Sequence, residues 1–396
     1  MRIFLLAGTA LASLALAGPA SAAWDDWSVS PLTGSIDDAD ISYSLGGQAF
    51  GSAFSADQPG HVAKQGVTGA ASLNASLQRD YDSGMSIALK GNFELYRDKL
   101  SLDNYGGDFV EKVYGQVQTG LGRVEFGMAD GAAYTLAVIG PMVNGEVTTD
   151  NPDATFFVDA ATGAAFVDTF ELNSAVESSL NYAKISYFTP KLFGVQLGFS
   201  YTPSEGKDVV PFLNNGPNVA NRQKSLWEGA INYSDSFGPI TASAYAGFTV
   251  GHGDRKTPGH AGLTDWAVGT QIDWNIDDDT KLSVGGAYRQ ANTYTFDINQ
   301  ALLHGASQSL HASSVLSYGS WSVGAEFGHG TADGSLGLPG LNVHDYVADV
   351  GYAVNSNLQL SAGWQRFHYG RDIGTFFNGA PHIQMDAVFL HSVINI

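Results

Sequence analysis

Apolar and polar residues alternate with a period of two through much of the chain. Residues 85–96, MSIALKGNFELY, set Met85, Ile87, Leu89, Gly91, Phe93 and Leu95 against Ser86, Ala88, Lys90, Asn92, Glu94 and Tyr96. Successive side chains of a strand point to opposite faces, so this stretch is a strand with one apolar and one polar face. The same pattern sets Val195, Leu197, Phe199 and Tyr201 against Gln196, Gly198, Ser200 and Thr202, and Trp266, Val268, Ile272 and Trp274 against Ala267, Gly269, Gln271 and Asp273. Alternation bounded by Gly, Pro, Asn and Asp clusters predicts sixteen strands, near 39–50, 67–79, 84–97, 111–119, 123–129, 178–187, 194–202, 224–234, 239–251, 264–275, 280–291, 306–318, 320–330, 343–353, 357–369 and 383–396. Most approach the roughly 9 to 11 residues that a tilted strand needs to cross a bilayer.

The connections alternate short and long without a break. Short ones fall at 80–83, 120–122, 188–193, 235–238, 276–279, 319 and 354–356; long ones at 51–66, 98–110, 130–177, 203–223, 252–263, 292–305, 331–342 and 370–382. Tight turns at one rim and long loops at the other are what an up-and-down membrane barrel requires, whereas Greek-key connections do not sort by length. The fold expected is therefore all-β: a 16-stranded antiparallel transmembrane β-barrel with short periplasmic turns and long extracellular loops. Its apolar faces then meet lipid, which turns Lys90, Asn92 and Glu94 inward to water. Aromatic residues near strand ends, such as Tyr187, Tyr201, Tyr233, Trp266, Trp274, Tyr288 and Tyr352, suit interfacial girdles. Residues 23–38 precede the first strand and fit an extra edge strand, a plug or a lead segment.

Composition narrows the class. The start, MRIFLLAGTALASLALAGPASA, has Arg2, an apolar run to Ala17 and Ala20-Ser21-Ala22, the pattern of a cleaved signal peptide over residues 1–22 with a single barrel domain over 23–396. No later apolar run reaches the roughly 18 to 20 residues of a membrane helix, so insertion must be by a closed barrel. Cysteine is absent, and 48 glycines and 46 aromatics (22 Phe, 17 Tyr, 7 Trp) against 13 prolines suit twisted strands. A net charge of −20 argues against a nucleic-acid partner. There is no G-x-S-x-G, H-E-x-x-H or P-loop motif, and pairs such as His252 with His260 or His304 with His311 lack metal-site spacing, so neither enzyme, cofactor nor metal is expected.

The unit NYAKISYFTPKLFGVQLGFSYTP at 181–203, VYGQVQTGLGRVEFGMADG at 113–131 and YAVNSNLQLSAGW at 352–364 resemble the repeated hairpins of Gram-negative general porins, in particular the alphaproteobacterial type. The resemblance covers nearly the whole mature chain by pattern, and its most specific piece is the Thr-Pro-x-x-x-Gly turn. It implies a homotrimer of barrels in the outer membrane, surrounded by lipid and lipopolysaccharide, whose third long loop folds inward and faces basic residues on the wall. The chain departs from that family by ending in Ile396 rather than Phe.

The third long connection, 130–177, is far longer than structureless loops usually are and carries eight acids without one Lys or Arg. As the implied constriction loop it offers Glu146, Asp150 and Asp153 to the pore, while alternation turns Lys90, Arg123 and Lys184 inward on nearby strands. Opposed charges of this kind orient polar solutes by a transverse field. The function expected is passive diffusion of small hydrophilic solutes and ions, weakly selective by size and charge. Alternatives are a sugar- or anion-selective channel, for which Tyr96, Tyr114 and Tyr182 face inward by alternation, and a secreted all-β binding protein.

Overall fold

The computed structural model describes residues 31–36, 40–57, 65–97, 110–150, 157, 172–204, 223–253, 262–292, 295–296, 302–304, 306–332, 341–371 and 382–396. The strands are β1 (Leu32–Ile36), β2 (Ile41–Asp57), β3 (Gln65–Asp80), β4 (Ser86–Arg97), β5 (Val110–Thr119), β6 (Gly122–Met128), β7 (Ala183–Phe188), β8 (Val195–Ser204), β9 (Gln223–Phe237) and β10 (Ile240–Gly253). They continue with β11 (Leu263–Asn275), β12 (Thr280–Ala291), a small hairpin of β13 (Thr295–Phe296) and β14 (Leu302–His304), then β15 (Ser307–Tyr318), β16 (Trp321–Ala332), β17 (Leu341–Ala353), β18 (Leu358–Arg371) and β19 (His382–Asn395).

Strands β2–β12 and β15–β19 pair antiparallel in sequence order, and β19 returns to pair with β2, closing a barrel of sixteen strands. Closure leaves few edge groups unpaired. One stretch of edge remains because β2 is longer than its partner: Ile396 pairs with Gly47 at 2.8 and 2.9 Å, and β2 extends below that point. There β1 takes over, pairing Leu32↔Leu45 through Ile36↔Ile41. Of the three roles open to the leading segment, the described part is an extra edge strand.

The barrel is apolar outside. Ile87, Leu89, Ile185, Phe199, Ile231, Val268, Ile272, Val284, Leu316 and Val323 are exposed. Aromatic pairs ring this band at two levels. Tyr201 with Trp227 (4.5 Å between centroids), Trp266 with Tyr288 (5.5 Å) and Phe327 with Tyr346 (5.3 Å) lie toward the long-loop rim; Trp321 with Tyr352 (4.7 Å) lies toward the short turns. An exposed apolar belt between two aromatic girdles is the surface that a bilayer stabilises. At the short-turn rim, Gly238 and Gly319 have φ of 63° and 54° with empty space where a Cβ would sit, so the backbone angle and not crowding selects glycine there.

Strict alternation misplaces one residue. A register shift at Ala71/Ser72 pairs Glu94 with Ser72 but Tyr96 with Ala71. The bulge turns Tyr96 to the lipid side, where it is 60% exposed, so it does not line the pore. The inward surface is also not uniformly polar. On β17–β19 and the upper half of β2, Val343, Val347, Phe367, Tyr369, Ile383, Met385, Phe389 and Phe54 point inward and form a buried apolar cluster. The lumen holds something for them to pack against.

Candidate pore lumen and constriction loop

Between β6 and β7 the described residues 129–150, 157 and 172–182 lie inside the barrel. The first limb opens with a helical turn, Ala132–Thr135, whose Ala132 and Ala133 are fully buried with Leu136 against Phe188, Ala230, Tyr245 and Ala267 of the wall. Wall side chains bind its backbone directly: Ala132 N donates to Ser200 Oγ (2.8 Å), Ala133 N to Glu228 Oε2 (3.3 Å), and Asn232 Nδ2 donates to the Leu136 carbonyl (2.9 Å). Farther along, Gln359 Nε2 reaches the Val143 carbonyl (2.6 Å), and Asn144 Nδ2 donates to Asp349 Oδ2 (2.8 Å). Thr149 N donates to Glu326 Oε2 (2.9 Å), and its hydroxyl contacts His311 Nδ1 (2.8 Å). Wall glycines make room for this path. A Cβ at Gly269 would collide with the Val138 carbonyl, at Gly324 with Val143 and at Gly328 with Thr149.

The tip meets the apolar cluster of β17–β19 through Val147, Phe157 and Leu172, with Phe157 edge-on to Phe367 at 5.4 Å. Burying Phe157 and Leu172 contributes about 3 to 6 kcal/mol before the entropy of ordering is subtracted. The return limb is held by charge. Arg289 on β12 binds Asp265 on β11 through both oxygens (2.9 Å each) and donates to the Asn173 carbonyl (3.3 Å), while Ser309 Oγ donates to that same carbonyl (2.6 Å) and Ser178 Oγ to Asp265. Both members of the pair are almost completely buried, a state stable only when each charge is fully partnered.

The six candidate side chains separate by location. Lys184 faces inward on β7 but is buried under the loop, donating its ammonium to the carbonyls of Ala129 (2.6 Å), Ser179 (3.2 Å) and Leu180; it ties the two ends of the loop together. Asp150 is buried too, accepting from the backbone N (2.8 Å) and hydroxyl of Ser174, a contact that joins the outgoing and returning limbs. Glu146 is partly exposed. Asp153 lies outside the described residues. Lys90 and Arg123 stand on the wall of β4 and β6, with Arg123 Nε 2.9 Å from Glu125 and its guanidinium over the Phe188 ring at 4.3 Å. Lys112 pairs with Asp130 at 2.7 Å. Among the described residues Lys90 makes no ion pair at contact distance.

Loop and wall together divide the lumen. Inward side chains of β15–β18 are buried, among them Ser309, His311, Glu326, Asp345, Val347, Gln365 and Phe367. Those of β3–β5 and the lower half of β2 keep contact with solvent: Ser44, Asn74, Ser76, Lys90, Asn92 and Gln118. Hydroxyl and amide groups dominate this open wall, with Asn92 Nδ2 donating to Asn74 Oδ1 (2.7 Å) and the Ser44 and Ser76 hydroxyls 2.8 Å apart. Sequence reasoning missed Arg289, Asp265, Asp349 and Glu326 as loop anchors. Their signal was charge or glycine at inward positions of strands remote from the loop in sequence.

Burial raises the Asp150 carboxyl to about 6, against the pull of its Ser174 hydrogen bonds, and raises Glu177 to about 7, against the pull of Arg289. An acid that is harder to ionise when docked stabilises docking fully below its free value, near ~4, and loses that contribution as pH rises through its docked value. Loop attachment is thus expected to weaken between about pH 4 and 7. Single-channel recordings across this range should show conductance noise growing with pH, and Asp150→Asn should flatten the part centred near 6. A pH-independent noise level would contradict this.

The sequence profile of a family described as Gram-negative porin matches residues 7–372. No curated protein sequence matches the chain significantly. Solved structures share its fold at low identity: a Salmonella typhi OmpF in complex with daunomycin (TM-score 0.60, 10% identity, 92% of this chain and 100% of that one); a loop-deleted OmpT, an outer membrane protein of Vibrio cholerae (TM-score 0.57, 10%, 90% and 100%); and an anion-selective porin from Comamonas acidovorans (TM-score 0.51, 12%, 90% and 100%).

Proposed function

The chain belongs to the Gram-negative porin family, an outer-membrane channel by family and fold, and from that premise we propose that it passes small hydrophilic solutes and ions by passive diffusion with coarse selection by size and charge. The observation that carries this reading is the division of the lumen: the in-folded loop seals one wall with apolar and hydrogen-bonded contacts, and the opposite wall stays wet and lined by Ser, Asn and Gln. Such a wall exchanges hydrogen bonds with passing solutes without holding any one of them. Residues 130–177 act as the constriction loop in this reading. Glu146 supplies acidic charge on the loop side, and Lys90 and Arg123 supply basic charge on the wall, whereas Asp150 and Lys184 hold the loop in place. No cofactor or catalysis is needed.

A sugar rail of aromatic rings loses one of its three members, because the bulge removes Tyr96 from the lumen and leaves Tyr114 opposite Lys90. Export by cleavage after residue 22 completes the reading. So does assembly as a homotrimer, supported by the outward face of β2 and β3, where Ala49 lies opposite Ala71 and Gly51 opposite Gly69, between the pairs Gly47–Leu73 and Ala53–Val67. Small residues let a second barrel approach closely. The test is reconstitution: ohmic steps in planar bilayers, and liposome swelling rates that fall with sugar size irrespective of sugar identity. Saturable transport of one sugar, or no conductance, would overturn the proposal.

A further inference from the structure

Four of the ten histidines gather on one patch of the outer wall. His329 on β16, His344 on β17 and His368 on β18 lie directly opposite one another across neighbouring strands. Their ring centroids are 4.5 and 6.4 Å apart, and His382 of β19 adjoins His368 at 5.9 Å. All four face outward: the alternate positions Glu326, Gly328, Asp345 and Phe367 are buried on the loop side, and Tyr346 and Val323 on the histidine face are exposed. The row begins two residue pairs above the Phe327–Tyr346 girdle, at headgroup depth.

His329 Nδ1 is committed to the Val343 carbonyl (3.1 Å), which leaves its Nε2 to face out, and the buried His344 Nδ1 has no hydrogen-bond partner. Among the described residues no three His, Cys, Asp or Glu side chains converge as a metal ion requires. What a row of adjacent imidazoles can do instead is present several N–H donors to one extended anion, more strongly as they protonate. The charged neighbours are few. Arg366 on β18 sits beside the row, paired with Asp386 on β19 at 2.7 Å, and Asp386 lies opposite Asp57 of β2; β15 contributes only Leu310 and Gln308.

We propose that His329, His344, His368 and His382 form a pH-dependent binding site for the phosphate headgroup of a membrane lipid. The lipid, not free phosphate, is the occupant because the surface below the row turns apolar: Phe327 and Tyr346 flank the Arg366–Asp386 pair at the first level, and Ala325, Ala348, Trp364 and Val388 form the next. One molecule bearing phosphate above and acyl chains below satisfies both halves. Acid tightens the site, since imidazole charge adds to that of Arg366 while the Arg366–Asp386 pair stays intact.

The proposal rests on the barrel lying in a bilayer, which channel activity of the same preparation checks separately. Purified protein in uncharged detergent, loaded with equal phosphatidic acid and phosphatidylcholine, would be examined by native mass spectrometry at pH 5.5 and 7.5. Retention of phosphatidic acid over phosphatidylcholine is expected to rise at least five-fold at the lower pH. That rise should vanish in His344→Gln/His368→Gln, with channel conductance and barrel melting unchanged. Equal retention of the two lipids, a pH rise that survives in the variant, competition by millimolar inorganic phosphate that matches the lipid, or stoichiometric zinc binding lost in the variant would each overturn it.

Discussion

Arg289→Met is expected to release the return limb of the constriction loop and to cost about 3 to 5 kcal/mol of stability, because it leaves Asp265 charged and buried with only the Ser178 hydroxyl for company. The side chains are similar in length, so the loss is electrostatic and not a cavity. Asn173 loses one of its two donors and keeps Ser309. Two measurements should move together: the barrel's melting temperature falls, and single-channel conductance rises with added flicker as the limb detaches. Adding Asp265→Leu removes the stranded charge and should restore most of the melting temperature without restoring the closed conductance. Unchanged conductance in Arg289→Met would mean that the apolar contacts of Phe157 and Leu172 suffice to hold the loop.

Much of this architecture is visible in the amino-acid pattern, and the reason is physical. A strand between lipid and water must alternate, so most of the sixteen barrel strands announce themselves by parity, and the closing pair β19–β2 follows from an even count. Parity fails where one face meets neither lipid nor water. On β17–β19 both faces carry apolar residues: Tyr346 and Leu390 are exposed on the outside, while Val347, Phe367 and Met385 meet the loop. A bulge cannot be seen in parity at all, which is why Tyr96 changes sides.

The charged residues were legible in position but not in role. Lys184 and Arg123 both occupy inward sites, yet the loop ends close over Lys184 and leave Arg123 partly open. Asp150 belongs to a run of acids that sequence alone does not distinguish, and only the meeting of the two limbs at Ser174 makes it structural. Long-range contacts between the loop and glycines 269, 324 and 328 carry that information, and no local window contains it.

Lys90→Glu is expected to give the largest change in ion selectivity. Lys90 stands on the wet wall without a contact ion pair among the described residues, whereas Arg123 is offset by Glu125 and Lys112 by Asp130. A unit charge about 8 Å from a permeating ion at an effective dielectric near 40 is worth roughly 1 kcal/mol. The substitution changes the wall by two units, and screening at about 0.1 M salt returns the effect to the order of 1 kcal/mol, opposite in sign for cations and anions. The cation-to-anion permeability ratio should therefore rise by up to about thirty-fold in dilute salt and by much less at 1 M, where the screening length is ~3 Å. Reversal potentials under a salt gradient measure it directly. Arg123→Gln, which exposes Glu125, should shift the ratio in the same direction by a smaller amount, and Leu89→Met on the lipid face should leave it unchanged. A reversal potential that ignores Lys90→Glu would place the ion path away from the β3–β5 wall and transfer selectivity to the loop side, where Glu146 is the first residue to substitute.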